Sequence, residues 1–165
     1  MKGPRFLQLI LVAAGLLIAV GLAFAPRIPA DKRLISEATP TYLKLMQAVG
    51  MVQNGENPME GIMMLREILE EDSNQVDAHW HLAQFSVTSR QIENAAFRFE
   101  KVVQLDKGIK YPEAYFWLGQ TKVALGQDEE AIDWLQKYLT LETDTVVIEG
   151  VRRMIDQLEK ELLTH

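Results

Sequence analysis

PEAYFWLGQTKVALGQDEEAIDWLQKYLTLET, residues 112–143, decides the fold. Two stretches of helical spacing flank a turn at Gly126-Gln127-Asp128. In the first, Tyr115, Leu118 and Gly119 share one helix face. In the second, Ala131 and Leu135 do the same. The same order of large and small residues occurs upstream as His79, Leu82 and Ala83, followed by Ala95 and Phe99. It occurs again as Leu45, Ala48 and Val49, followed by Gly61 and Leu65. The first unit precedes the second by 34 residues and the second precedes the third by 36. A period in this range marks an array of helical hairpins.

The spacing has a packing rationale. A small residue on the first helix (Gly119, Ala83) and one on the second (Ala131, Ala95, Gly61) let the two backbones approach. Leu135, Phe99 and Leu65 then fill the space beside the next unit. A lone hairpin cannot bury such a face, but a stack can. These residues resemble the tetratricopeptide repeat family. The best match is residues 112–143, with Ala114-Tyr115-Phe116-Trp117-Leu118-Gly119, then Glu130-Ala131-Ile132 and Leu135-Gln136-Lys137. The unit at 76–109 has Ala83 where the family has Gly, and about two extra residues before Pro112. The unit at 42–75 is degenerate, with Val49 for the small residue and Gly61 for the usual Ala. Ser73, Lys107 and Thr143 stand where the family places proline after each second helix. The resemblance covers about residues 41–144. It implies an all-α solenoid that binds protein partners.

Composition narrows the function. The 165 residues include no cysteine, which excludes disulfides, thiol catalysis and cysteine-ligated metal. The net charge is −6. Lys2, Arg5 and Arg27 are the only charges in residues 1–30, which leaves 14 of the 17 Lys and Arg against all 23 Asp and Glu, a balance of −9. An acidic domain is a poor match for phosphate backbones, so nucleic acid is not an expected partner.

Residues 6–24, from Phe6 to Phe24, form an apolar run whose only strongly polar member is Gln8. In a helix this run rises about 28 Å, close to the hydrocarbon thickness of a bilayer. Residues 1–25 are therefore expected to be a transmembrane signal anchor in contact with lipid. Cleavage after Ala23-Phe24-Ala25 is the alternative, disfavoured by the length of the run and by Pro26. A short basic N-terminus before a long acidic domain predicts a cytoplasmic N-terminus, in a bacterial inner membrane with the repeats in the periplasm. Gly15, Ala19 and Ala23 fall on one face; helix pairing is one reading of them, and ordinary small residues the preferred one.

Residues 26–40, with Pro26, Pro29 and Pro40, read as a juxtamembrane linker. Helices are expected at about 41–54, 58–71, 75–88, 92–106, 112–125 and 128–141. Thr39-Pro40 and Asn57-Pro58 read as cap-proline starts, and Lys107-Gly108 and Gly126 as stops. Residues 145–165 read as a capping helix. Val147, Ile148, Val151, Met154, Ile155, Leu158 and Leu162 lie on one face of it. Five of the seven methionines (Met46, Met51, Met59, Met63 and Met64) fall in the first unit and are expected in its core.

The family resemblance implies that the first helix of each pair lines a concave face. The outward positions are then Asp77, Trp80, Gln84 and Val87 in the middle unit, and Glu113, Phe116, Gln120 and Val123 in the last. Trp80 and Phe116 would anchor a peptide, and the glutamines would bond its backbone. His79 and His81 are spaced two apart and point different ways, so no metal site is expected. No nucleophile–base pair or phosphate loop is present, so neither catalysis nor a cofactor is expected. The expected function is a membrane-anchored scaffold or adaptor for envelope proteins. A structural subunit of a membrane complex or homo-oligomer, and a non-catalytic activator of an enzyme, are the alternatives.

Overall fold

The computed structural model describes residues 39–55 and 57–164. The expected membrane anchor, most of the linker and the Gly15-Ala19-Ala23 stripe lie outside the described residues. Among the described residues seven helices follow in order: α1 Pro40–Asn54, α2 Pro58–Glu71, α3 Val76–Thr88, α4 Ile92–Asp106, α5 Glu113–Ala124, α6 Asp128–Leu139 and α7 Thr145–Leu162. Their ends differ from the sequence expectation by no more than two residues, except that α7 stops at Leu162, three short of the expected end. Among the described residues no helix is long and apolar enough to cross a membrane.

Local chemistry sets the ends. Thr39 accepts a hydrogen bond from the Tyr42 amide (3.2 Å), with Pro40 in the first turn. Asn57 makes no such cap. Its side-chain amide instead donates to the Glu60 carboxylate at 2.6 Å, and Pro58 opens the first turn. Asp144 caps α7 through the amides of Val146 and Val147. Gly126 takes φ +69° in the α5–α6 turn, a left-handed conformation that a side chain disfavours.

The helices pair as α1–α2, α3–α4 and α5–α6, each pair an antiparallel hairpin. Closure depends on the small residues. A Cβ on Gly119 would lie 2.7 Å from Leu135 Cγ and 3.3 Å from the Ala131 carbonyl oxygen. A Cβ on Gly61 would lie 2.5 Å from the Ala48 carbonyl oxygen. Ala83 and Ala95, both fully buried, meet in the middle hairpin.

The core is divided into three segments, and each first helix of an interior pair serves two of them. Ala78 and Leu82 of α3 pack with Leu45, Ile62 and Leu65. Trp80 and Ala83 of the same helix pack with Phe99, Val102 and Leu118. The last segment joins Ala131, Leu135 and Tyr138 to Val151, Ile155 and Leu158 of α7. Helix α7 thus takes the place of a fourth first helix. Of its expected apolar face, Val147 and Leu162 are exposed, Ile148 and Met154 half-buried, and only the middle is covered. Lys122 is buried between Glu100 (2.9 Å) and Glu130 (2.8 Å), tying α4, α5 and α6 together. Burial works against its charge, but the two carboxylate hydrogen bonds win and raise its pKa above the ordinary lysine value.

The methionine expectation is corrected. Met46, Met59 and Met63 are more than half exposed, and with Tyr42 and Leu43 they leave the first hairpin with apolar residues in solvent. Only Met64 of the five packs against the buried core. The first helix here has no preceding hairpin among the described residues to cover it.

Gly119→Ala adds a methyl against the closed packing of Leu135. Overpacking costs about 1–3 kcal/mol, against about 1 kcal/mol gained in helix propensity. Urea denaturation is expected to show a net loss for Gly119→Ala and a larger one for Gly61→Ala, where backbone is the obstacle. Gly150→Ala, with nothing within 4 Å of the added carbon, is expected to stabilise.

Candidate functional site

The outward positions named from the sequence divide into joints and groove. Trp80 is buried, which corrects its expected role as an open anchor. Its ring stacks on Tyr111 (4.6 Å between centroids, 15° between planes) and meets Phe99 edge-on. Tyr111 arrives on the two-residue extension noted before Pro112. The Lys107–Gly108 pair turns with positive φ, and the buried Asp106 carboxylate accepts the amides of Lys110 and Tyr111 (2.8–3.0 Å). The Tyr111 hydroxyl then donates to Asp77 at 2.5 Å, and Lys110 Nζ lies 2.6 Å from the same carboxylate. Burial pushes the Asp77 carboxyl up, but the bonds from Lys110 and Tyr111 more than offset it and hold it below the usual carboxylate range. Burial and Asp77 together push the Tyr111 phenol well above its ordinary value. Asp77 and Trp80 therefore form a latch between the second and third hairpins.

Their counterparts in the last unit form another joint. Phe116 sits 5.5 Å from the Tyr138 ring and, with Val123, packs on the segment shared with α7. The Gln120 amide donates to the Met154 sulfur of α7 (2.7 Å), and Glu113 is exposed. Phe116, Gln120 and Val123 thus turn towards the cap and its core segment.

Gln84 and Val87 have a different setting. Two adjoining depressions run along the first helices. One, about 280 Å³, is lined by Val49, Val52, Gln53, His81, Gln84 and Phe85 among others. The second, about 160 Å³, is lined by Gln84, Val87, Thr88, Phe99 and Trp117. Gln84 and Thr88 border both, so a polar pair stands at the middle of a largely apolar groove across α1, α3 and α5, with Gln53 and His81 in the first depression. Sequence reasoning missed Trp117, His81 and the α1 valines. His81 and Trp117 each lie one position from a chosen residue, an offset that rotates a side chain by about 100° on a helix; on α1 no position had been chosen. Among the described residues no group of three or more His, Asp or Glu side chains is placed to hold a metal.

The two histidines lie on opposite sides of α3. Burial lowers the pKa of each below 6.5. For His79 the Ser73 carbonyl opposes this, while Arg98 and Lys101 add to it. For His81 Asp77 opposes it and Lys110 adds to it. Such a histidine is harder to protonate folded than unfolded. Its contribution to stability is complete above about pH 6.5 and declines as pH falls from there towards the folded-state value, because the unfolded chain takes up the proton first. Asp77 and Glu142, held below the ordinary carboxylate range, act only in more acidic solution. The melting temperature is thus expected to fall between pH 7.5 and 5.5. A His79→Gln/His81→Gln variant, compared by calorimetry, is expected to narrow that gap.

The fold has solved counterparts. The chain is similar to MamA, with TM-score 0.59 and 17% identity over 81% of this chain and 82% of that one. An aspartate-to-lysine mutant of MamA gives TM-score 0.62 and 21% identity over 76% of this chain and 70% of the other. At this identity the likeness concerns the fold. No curated protein matches the chain. The tetratricopeptide repeat model matches residues 112–145, the third hairpin with its exit to α7. Residues 112–145 thus match a tetratricopeptide repeat by sequence, and the chain shares its fold with the MamA structures.

Proposed function

We propose that this chain is a membrane-anchored, non-catalytic scaffold that holds an extended segment of a protein partner in the groove across α1, α3 and α5. The observation that carries the reading is the position of Gln84. It stands between two depressions whose other linings include Val49, Val52, Phe85, Val87 and Trp117. A peptide backbone finds the amides of Gln84 and Gln53 to bond, and its alternate side chains find apolar pockets. The apolar run of residues 6–24 supports attachment to a bilayer, with the repeats on the periplasmic side of a bacterial inner membrane. Assembly or quality control of envelope proteins is the matching role.

A second reading is favoured by one observation. Tyr42, Leu43, Met46, Met59 and Met63 are each at least half exposed on the first hairpin. Apolar exposure of this kind suits a permanent neighbour in a membrane complex or homo-oligomer.

The two readings separate by site-specific photo-crosslinking in the source cell. A crosslinker at Gln84 or Trp117 is expected to give a discrete protein adduct, absent from the exposed control positions Asp133 and Glu149. Adducts from Met46 or Met59 alone would favour the permanent subunit. No adduct from either groove position would sink the groove reading. A C-terminal reporter active only outside the cytoplasm, on an uncleaved chain, is the expected topology.

A further inference from the structure

The opposite side of the array carries a second cleft, between α2 and α4, of about 530 Å³. Its charged lining is Arg66, Arg98, Lys101 and one acid, Glu70; its apolar lining is Phe97, Leu69 and Leu105. The cleft continues into a smaller one of about 220 Å³, and Arg66, Phe97 and Arg98 border both. Among the described residues the ion pairs are those of Lys44, Lys110 and Lys122, so none of the three cations in the cleft has a carboxylate partner there.

Internal comparison of the repeats shows what is unusual. The equivalents of His79 and Arg98 one unit on, 36 residues later, are Tyr115 and Trp134. Those rings pack 6.0 Å apart and close the joint, with Lys137 lying over Trp134. In the earlier joint a histidine and an arginine replace this aromatic wedge, and a cleft remains. The equivalent of Arg66 is Glu100, which pairs with the buried Lys122. The second joint is thus neutralised from within and the first is not.

The arginine is held ready rather than paired. His79 Nε2 lies 3.0 Å from the Ser73 carbonyl oxygen, so that nitrogen carries the proton and donates. Nδ1 is then an acceptor, and Arg98 donates to it at 3.2 Å. A neutral acceptor orients the guanidinium without cancelling its charge. Burial, with Arg66 nearby, disfavours that charge in the absence of an anion. The Arg98 guanidinium and Lys101 ammonium also lie 5.5 and 5.8 Å from the exposed Phe97 ring. Cations and an apolar surface are thereby presented together.

We propose that the cleft between α2 and α4 binds an acidic peptide segment, with carboxylates on Arg98, Lys101 and Arg66 and an adjoining apolar side chain on Phe97 and Leu69. A fork-shaped guanidinium with open donors suits a carboxylate. A polyanion is disfavoured by Glu70 in the cleft, within a chain of net charge −6. A short segment with two or three carboxylates avoids most of that repulsion. This site is separate from the groove of the first helices and does not depend on it.

The test is fluorescence anisotropy of the full-length chain in a non-ionic detergent. The probes are labelled nonapeptides carrying two or three Asp or Glu beside Leu or Phe at varied spacing. Asn and Gln counterparts serve as neutral controls. At least one acidic peptide is expected to bind. Each of Arg98→Gln and Lys101→Gln is expected to weaken it by about tenfold or more, the size of one charge-assisted hydrogen bond. Arg98→Lys should be intermediate, and Gln84→Ala in the other groove should change nothing. Arg66→Gln and Lys101→Gln remove no side-chain hydrogen bond among the described residues and serve if the Arg98 variants unfold. The proposal is overturned if no peptide of the panel binds or if neutral counterparts bind equally. Binding that survives the substitutions overturns it too. So does a result in which inorganic phosphate or anionic lipid vesicles occupy the cleft and the peptides do not.

Discussion

The close approach of two helix backbones at small residues is the constraint on which the rest of the structure depends. Gly119 against Ala131 and Leu135, Ala83 against Ala95, and Gly61 against the Ala48 carbonyl bring each hairpin together. Closure at that point forces the larger residues outward to the edges of the hairpin. There they are half a core, needing another helix to complete it. The next first helix supplies the other half, so α3 contributes Ala78 and Leu82 to one core segment and Trp80 and Ala83 to the following one. The array grows by this sharing, and α7 ends it by covering the last segment with Val151, Ile155 and Leu158.

The joints built this way are unequal, and their differences divide the surface into functional regions. Between the second and third hairpins the 107–111 loop inserts Tyr111 over Trp80 and ties it to Asp77. On the other side of that joint Tyr115, Trp134 and the buried Lys122 fill the gap. Between the first and second hairpins neither device is present. There the first helices leave a groove around Gln84, and the second helices leave a cationic cleft around Arg98. Both openings therefore involve the junction made by the degenerate first unit.

The helices and their pairing were legible because small and large residues recur at fixed offsets, and helix packing tolerates few substitutes at those offsets. The cap was legible from its spacing, although Val147 and Leu162 at its ends outrun the surface available to cover. Trp80 was misread because the family resemblance assigns its position to the open face. What covers it comes from a loop of irregular length, and the Tyr111 ring is placed by the Asp106 carboxylate binding two amides, a contact with no periodic signature. The methionines were misread for a related reason. Their side chains fit a core or a surface equally, and Met46, Met59 and Met63 fall on exposed faces of α1 and α2. The cleft at Arg98 was invisible because its meaning lies in the contrast with Trp134, one repeat later.

The central claim is that aromatic residues at outward positions of the first helices are joints between repeats, leaving Gln84 and its neighbours as the open groove. Acrylamide quenching of the full-length chain with Trp117 and Trp134 replaced by Phe, so that Trp80 is the only emitter, tests it most directly. The account predicts blue-shifted, weakly quenched emission that becomes strongly quenched when Tyr111→Ala is added at unchanged helix content. Strong quenching of Trp80 while Tyr111 is in place would contradict it and return Trp80 to the binding surface.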